Sequence, residues 1–156
     1  MTDAAALLAA LAGRGWTIGT AESLTGGGLV AALVDVPGAS AVVRGGVVAY
    51  ATDVKAGVLG VDQDLLERAG PVAPDVARWM AEGARTVLGV DVAIATTGVA
   101  GPDPQGGAEV GTVFVAVAVP TGVTVEPLKL SGSRQEIRSE TTRRAIALCA
   151  RVIAAP

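Results

Sequence analysis

The sequence predicts one three-layer α/β/α domain with a mixed, mostly parallel sheet and a late antiparallel hairpin. Three observations carry that prediction. Short apolar runs alternate with helical stretches through the first part of the chain, the pattern of strands joined by covering helices. Two apolar runs near residues 112–130 are separated by Pro120-Thr121-Gly122, which reads as a hairpin turn. The final stretch is a long helical segment opened by a capping signal. A length of 156 residues fits one domain, 1–156, with a sizeable core. No repeat, low-complexity tract or linker divides it.

In chain order, Asp3 can cap a first helix running to about Gly13, with Leu7, Leu8 and Leu11 as its apolar stripe. Arg14-Gly15 ends it. Trp16 opens a strand reaching Ser23, and a helix follows Gly26 to about Val34. Asp35-Val36-Pro37-Gly38 is a turn. Val42 to Ala51 reads as a strand interrupted at Gly45-Gly46, where a bulge fits. Thr52 can cap the next helix, with Asp53 in its first turn and Lys55 one turn in. Asp62 starts a short helix ending at Gly70, and Pro74 opens a longer one through Leu88. Asp91 to Thr97 is a buried strand leading into a glycine-rich loop, Gly98 to Gly111. Thr112 to Val119 and Val123 to Leu130 form the hairpin. Ser133-Arg134-Gln135-Glu136 fits a capping box, so the last helix starts at Arg134 and continues past Val152.

Composition narrows the function. With 51% hydrophobic and 3% aromatic residues, Ala, Val, Leu and Ile must fill the core. A net charge of −3 argues against non-specific nucleic-acid binding, while local arginines can still hold a small anion. There is no histidine, which removes Ser-His-Asp and Cys-His catalysis and argues against a zinc site. Cys149 can form no internal disulfide and reads as a core thiol. No signal sequence starts the chain and no run of ~18 apolar residues appears, so a cytoplasmic, soluble protein with no membrane partner is expected. The apolar composition makes a homodimer the expected assembly.

The chain is organised around Ala21 to Gly28, where a strand delivers the Ser23 hydroxyl and a glycine run opens a helix. Bare amides and the positive end of a helix dipole suit an anion, either a phosphate or a developing oxyanion. The alternative is a strand–helix corner that the glycines merely tighten. Neither the P-loop pattern nor Gly-x-Gly-x-x-Gly occurs. Without histidine, a serine nucleophile needs another base, and lysine is the usual substitute. Lys55 would have to be neutral, through desolvation, a nearby cation and its early position in a helix. Tyr50 could relay or orient a proton. The competing reading makes Lys55 a solvated helix lysine and Tyr50 a core aromatic.

Glu22 either orients Lys55 or pairs with an arginine, and a structural role is favoured. Thr96-Thr97-Gly98 ends a strand beside a flexible loop, where binding groups concentrate, though β-propensity alone explains the threonines as well. Arg134 and Arg138, four apart on one helix face, are candidates for a phosphate or carboxylate. Arg134 opposes the dipole in the first helical turn, and a residue kept against local preference often has a ligand.

Several segments in order resemble the CinA C-terminal domain family, the nicotinamide-nucleotide amidohydrolases. They are Ala21-Glu22-Ser23-Leu24-Thr25-Gly26-Gly27, Val36-Pro37-Gly38-Ala39-Ser40, and Gly45-Gly46-Val47-Val48-Ala49-Tyr50 with Lys55 five residues on. Leu59-Gly60-Val61, Ala81-Glu82-Gly83-Ala84-Arg85, Thr97-Gly98-Val99-Ala100-Gly101-Pro102, Val110-Gly111-Thr112-Val113 and Ser131-Gly132-Ser133-Arg134 follow. Together they span nearly the whole chain. The resemblance implies hydrolysis of the carboxamide of nicotinamide mononucleotide to nicotinate mononucleotide and ammonia, within NAD recycling, using no metal or cofactor. It implies Ser23 as nucleophile, Lys55 as its base and Tyr50 as an assistant, with Thr97 and Arg134 binding or positioning the substrate. Thr25, Gly26, Gly27, Gly98 and Arg138 complete the expected binding set, with amides near Gly26-Gly27 holding the oxyanion or the phosphate.

The alternatives are a non-catalytic nucleotide- or partner-binding module of the same fold, or an amidase for another amide. A pure binder would have no need of Ser23, Tyr50 and Lys55 together. Three positions depart from the family's habit: Leu24 stands for Cys, Ser133 for Asp, and Ala108-Glu109 for Lys-Pro.

Overall fold

Apolar residues at consecutive positions need cover on both faces, which places such strands at the centre of a sheet. β1 (Ile18–Glu22) is buried along its whole length and β3 (Val92–Gly98) nearly so. In the computed structural model, which describes residues 3–156, these two strands pair in parallel at the centre. β2 (Val43–Val48) adds in parallel beyond β1, while β4 (Thr112–Val119) and β5 (Gly122–Lys129) add antiparallel beyond β3. The order is β2-β1-β3-β4-β5, so four strands run one way and β4 runs against them. The domain is the expected α/β fold with its late hairpin.

α1 (Asp3–Arg14), α2 (Gly28–Val34) and α6 (Arg134–Ala154) cover one face, and α3 (Thr52–Leu59), α4 (Gln63–Ala69) and α5 (Pro74–Leu88) the other. Side chains alternate across a strand. The α1/α6 layer takes Val92, Ile94, Val113, Val115 and Val117, and the α5 layer takes Ala93, Ala95, Ala116 and Ala118. The alanines let α5 lie close over the sheet.

The same closeness recurs between helices. A Cβ on Gly83 would fall 1.9 Å from the carbonyl oxygen of Leu59, the last residue of α3. Only glycine lets α5 brace the helix that carries Lys55. Gly83→Ala should therefore cost about 2 kcal/mol through overpacking, lowering the melting temperature by roughly 5 °C in a thermal denaturation scan.

Local signals hold in most places. Asp62 Oδ1 accepts from the N–H groups of Asp64 and Leu65 at the head of α4, and Ser133 and Glu136 form the reciprocal capping box of α6. Three details differ. Asp3 is the first described residue of α1, so the cap expected there lies at the margin of the described residues. Ala51, not Thr52, is the N-cap of α3, and no side chain caps that helix. The sheet irregularity falls at Arg44, since Ile18 faces Val43 and Gly19 faces Gly45.

Candidate active site

In an open α/β sheet the crevice opens at the carboxyl ends of the strands, where successive connections leave in opposite directions. Here β1 continues to β2 on one side while β3 lies on its other side. Ser23 follows directly on β1, Thr97 and Gly98 close β3, and Tyr50 follows β2 just before α3 brings Lys55. These residues line one cleft with Arg134, in a volume of about 520 Å³ that includes the open mouth.

Lys55 is 1% exposed and Ser23 8%. Lys55 Nζ donates to Ser23 Oγ at 2.9 Å, to the Ala49 carbonyl at 2.8 Å and to the Tyr50 carbonyl at 3.2 Å. A neutral amine has two hydrogens and one lone pair. The two carbonyls can take both hydrogens, and the lone pair then faces the serine hydroxyl. Loss of water around the amine lowers its pKa from 10.5 to about 8. Of the causes expected, desolvation, a nearby cation and the helix position, it is desolvation by burial that acts. The picture of a solvated helix lysine fails on the same geometry, and Tyr50, at 61% exposed, is no core aromatic.

Tyr50 meets Lys55 through its main chain. Its hydroxyl instead accepts from Arg134 Nη2 at 3.0 Å, and Arg134 Nη1 donates to the Gly101 carbonyl. Arg134 thus bridges the end of β2 and the loop after β3 across the mouth of the cleft. Thr97 is 1% exposed and its hydroxyl donates to the Pro71 carbonyl at 2.7 Å, fixing the segment that forms one wall. A Cβ on Gly98 would come 2.7 Å from the Thr112 carbonyl oxygen, so the strand pairing there requires glycine.

Thr25, Gly26, Gly27 and Arg138 lie behind Ser23 and do not line the cleft. The Thr25 hydroxyl is buried between Glu22 and Thr96. The Gly26 N–H donates to the Ser23 carbonyl, and the Gly27 N–H to Glu22 Oε1 at 3.1 Å. Arg138 holds the carbonyls of Leu24 and Thr25. The expectation that these glycine amides meet a ligand is therefore corrected. The carboxylate of Glu22 already sits on the first turn of α2, bonded to Gly27, Leu29 and Val30. Its bonds run to these groups, not to Lys55 or an arginine. Positive φ at Gly26 and Gly27, 58° and 97°, turns the chain back over its own strand end, which no spacing in the sequence discloses.

Asp103 and Gln105 also line the cleft and were not singled out from sequence. The signal available was the glycine-rich loop itself. Of the departures, Leu24 is buried in the core, and Ser133 caps α6 as an aspartate would. Glu109 pairs with exposed Lys129 outside the cleft. Cys149 is fully buried and its thiol is pushed up to about 12, so it is no nucleophile. Among the described residues no group of three or more His, Cys, Asp or Glu could hold a metal ion. No described helix is long and apolar enough to cross a membrane.

Residues 2–153 match the family model of the CinA C-terminal domain. A CinA-like protein of Frankia casuarinae is 47% identical over 148 residues, covering 95% of this chain and 34% of the relative. A putative competence-damage inducible protein of Geobacillus kaustophilus is 50% identical over 131 residues, covering 83% of this chain and 32% of its own. The chain thus spans about a third of the length of these relatives. Among solved structures, a CinA superfamily protein from Klebsiella pneumoniae superposes with a TM-score of 0.94 at 31% identity, covering 97% of this chain and 96% of that one. The competence/damage inducible protein CihA from Agrobacterium tumefaciens gives 0.91 at 33% identity, covering 99% and 98%.

Proposed function

The chain belongs to the CinA C-terminal domain family, and from that premise we propose that it hydrolyses the carboxamide of nicotinamide mononucleotide by a Ser/Lys mechanism, in NAD recycling. The observation that carries the reading is the buried 2.9 Å contact between Lys55 Nζ and Ser23 Oγ, with two carbonyls positioned to hold the amine's hydrogens. Neutral Lys55 takes the Ser23 proton as Oγ attacks the amide carbon. The protonated amine then gives that proton to the departing nitrogen, and ammonia leaves an acyl-enzyme. Water enters and attacks the ester carbon as Lys55 removes its proton, and Lys55 returns that proton to the departing Ser23 Oγ, releasing the acid and restoring the enzyme. Backbone N–H groups beside Ser23 stabilise the oxyanion in both halves.

Among the described residues Arg134 makes two contacts, which leave N–H donors over, and it sits at the cleft mouth, where the substrate's phosphate would lie. Arg134→Ala should raise KM about tenfold or more, the scale of a lost charged hydrogen bond, with kcat within about threefold. Steady-state kinetics over substrate concentration check this.

The decisive assay is ammonia release from nicotinamide mononucleotide by the purified protein, run beside nicotinamide riboside, NAD and simple amides. Release from the mononucleotide is expected. Release from another amide alone would move the assignment to that substrate, and silence toward all of them would favour a binding module.

A further inference from the structure

The turn that carries Ser23 is held through its amides by one charged group and through its carbonyls by another, both outside the cleft. Glu22 is fully buried, and both of its oxygens accept. Oε1 takes the Thr25 hydroxyl at 2.7 Å and the N–H groups of Gly27 and Leu29 at 3.1 and 2.8 Å. Oε2 takes the Thr20 hydroxyl at 3.0 Å and the Val30 N–H at 2.9 Å. All five partners are neutral donors, so amide and hydroxyl dipoles balance this buried group. Arg138 on α6 takes the turn's carbonyls instead, donating Nε to the Leu24 carbonyl at 2.9 Å and Nη2 to the Thr25 carbonyl at 3.1 Å.

The turn also closes on itself and on the sheet. The Gly26 N–H reaches the Ser23 carbonyl, Gly28 reaches Thr25, and Ser23 reaches the Thr96 carbonyl. From Ser23 to Val30, the N–H groups of Leu24 and Thr25 alone have no acceptor among the described residues. Both follow the serine directly, and Leu24 lines the cleft, where the amide of the residue after a nucleophile is well placed for an oxyanion.

We propose that Glu22 and Arg138 are positioning residues, a clamp on the amides and the carbonyls of the Ser23 turn that fixes it so that Oγ meets Lys55 while the Leu24 amide stays free for the oxyanion. This rests on the Ser/Lys amidase reading above. The clamp touches no substrate. Its loss lets the turn drift, and a misplacement of about 1 Å at a reacting centre costs about 10²-fold in rate.

Glu22→Gln keeps the side chain's shape but presents an NH₂ to the two or three donors that one of the oxygens now accepts. Arg138→Met removes the grip on the two carbonyls from a half-buried position and is expected to fold. Both are compared with wild type by circular dichroism, steady-state kinetics on nicotinamide mononucleotide across pH, and the rate at which a fluorophosphonate labels Ser23. The expected result is a folded protein that loses about 10²-fold in kcat and in labelling rate, with KM within about twofold. The pH midpoint set by Lys55 should stay where wild type has it, and Arg138→Lys should recover part of the loss. Wild-type kcat in folded Arg138→Met would overturn the clamp, as would a raised KM with kcat unchanged, which puts Arg138 on the substrate. Should Glu22→Gln fail to fold, Arg138→Met decides alone. A wild type that labels but releases no ammonia overturns the substrate reading only, and the labelling rates still judge the clamp. A wild type that does neither overturns both.

Discussion

Ser23→Ala should abolish ammonia release, with a fall in kcat of more than about 10⁴-fold and no change in fold. Deleting a nucleophile removes the covalent route altogether, and what survives is the background from binding and oxyanion stabilisation. The side chain is small and 8% exposed, and it contributes one hydroxyl contact, so alanine leaves no cavity to collapse. The melting curve should overlay wild type within about 2 °C, since the change lies outside the mechanisms that destabilise strongly. A mass measurement after mixing with substrate should show an acyl adduct on wild type and none on the variant. Retained turnover in Ser23→Ala would remove the nucleophile from the account and leave the fold intact.

Lys55→Met should come next in size, costing about 10²–10⁴-fold in kcat, the range of a lost general base. Methionine fills a similar volume without charge, so circular dichroism should be unchanged. The pH dependence gives an independent signature. With a pKa near 8, about a tenth of the Lys55 amines are neutral at pH 7, so wild-type kcat/KM should rise with pH and level off above about 8. Stability should follow the same group. In the fold Lys55 holds its proton up to about pH 8, whereas its ordinary value is 10.5. Between those values the unfolded chain binds more protons, so wild-type stability rises with pH across that window. Below pH 8 both states are protonated and the burial penalty is constant. Denaturant titrations from pH 7 to 10 should show this rise in wild type and its absence in Lys55→Met. A rise in both would assign it to another group.

Much of this was legible from local signals. The capping box at Ser133 sets the start of α6, Asp62 sets α4 and Pro74 sets α5, because each signal acts within one turn of its own helix. The hairpin at Pro120-Thr121 is local for the same reason. Ser23, Tyr50, Lys55, Thr97, Gly98 and Arg134 do line one cleft. Thr25, Gly26, Gly27 and Arg138 do not: an internal carboxylate occupies the helix end that a ligand was expected to use, the Gly26 amide closes on the Ser23 carbonyl, and Arg138 holds the carbonyls of Leu24 and Thr25. Nothing in a strand–glycine–helix pattern tells which acid turns back onto it. Asp103 and Gln105 escaped notice because a loop's side chains carry no periodicity.

By itself, then, the sequence determined the elements, their order and the chemical kit: a serine, a lysine and no histidine, with apolar runs that require a covered sheet. Those follow from propensity, capping and patterning, which act over a few residues. Tertiary structure alone decided that Lys55 loses its water, that two carbonyls take its hydrogens, and that Glu22 claims the amides behind Ser23. Desolvation and hydrogen-bond partnership depend on which segments pack against one another, and residues as far apart as Ser23, Lys55 and Arg138 meet only once the sheet has closed.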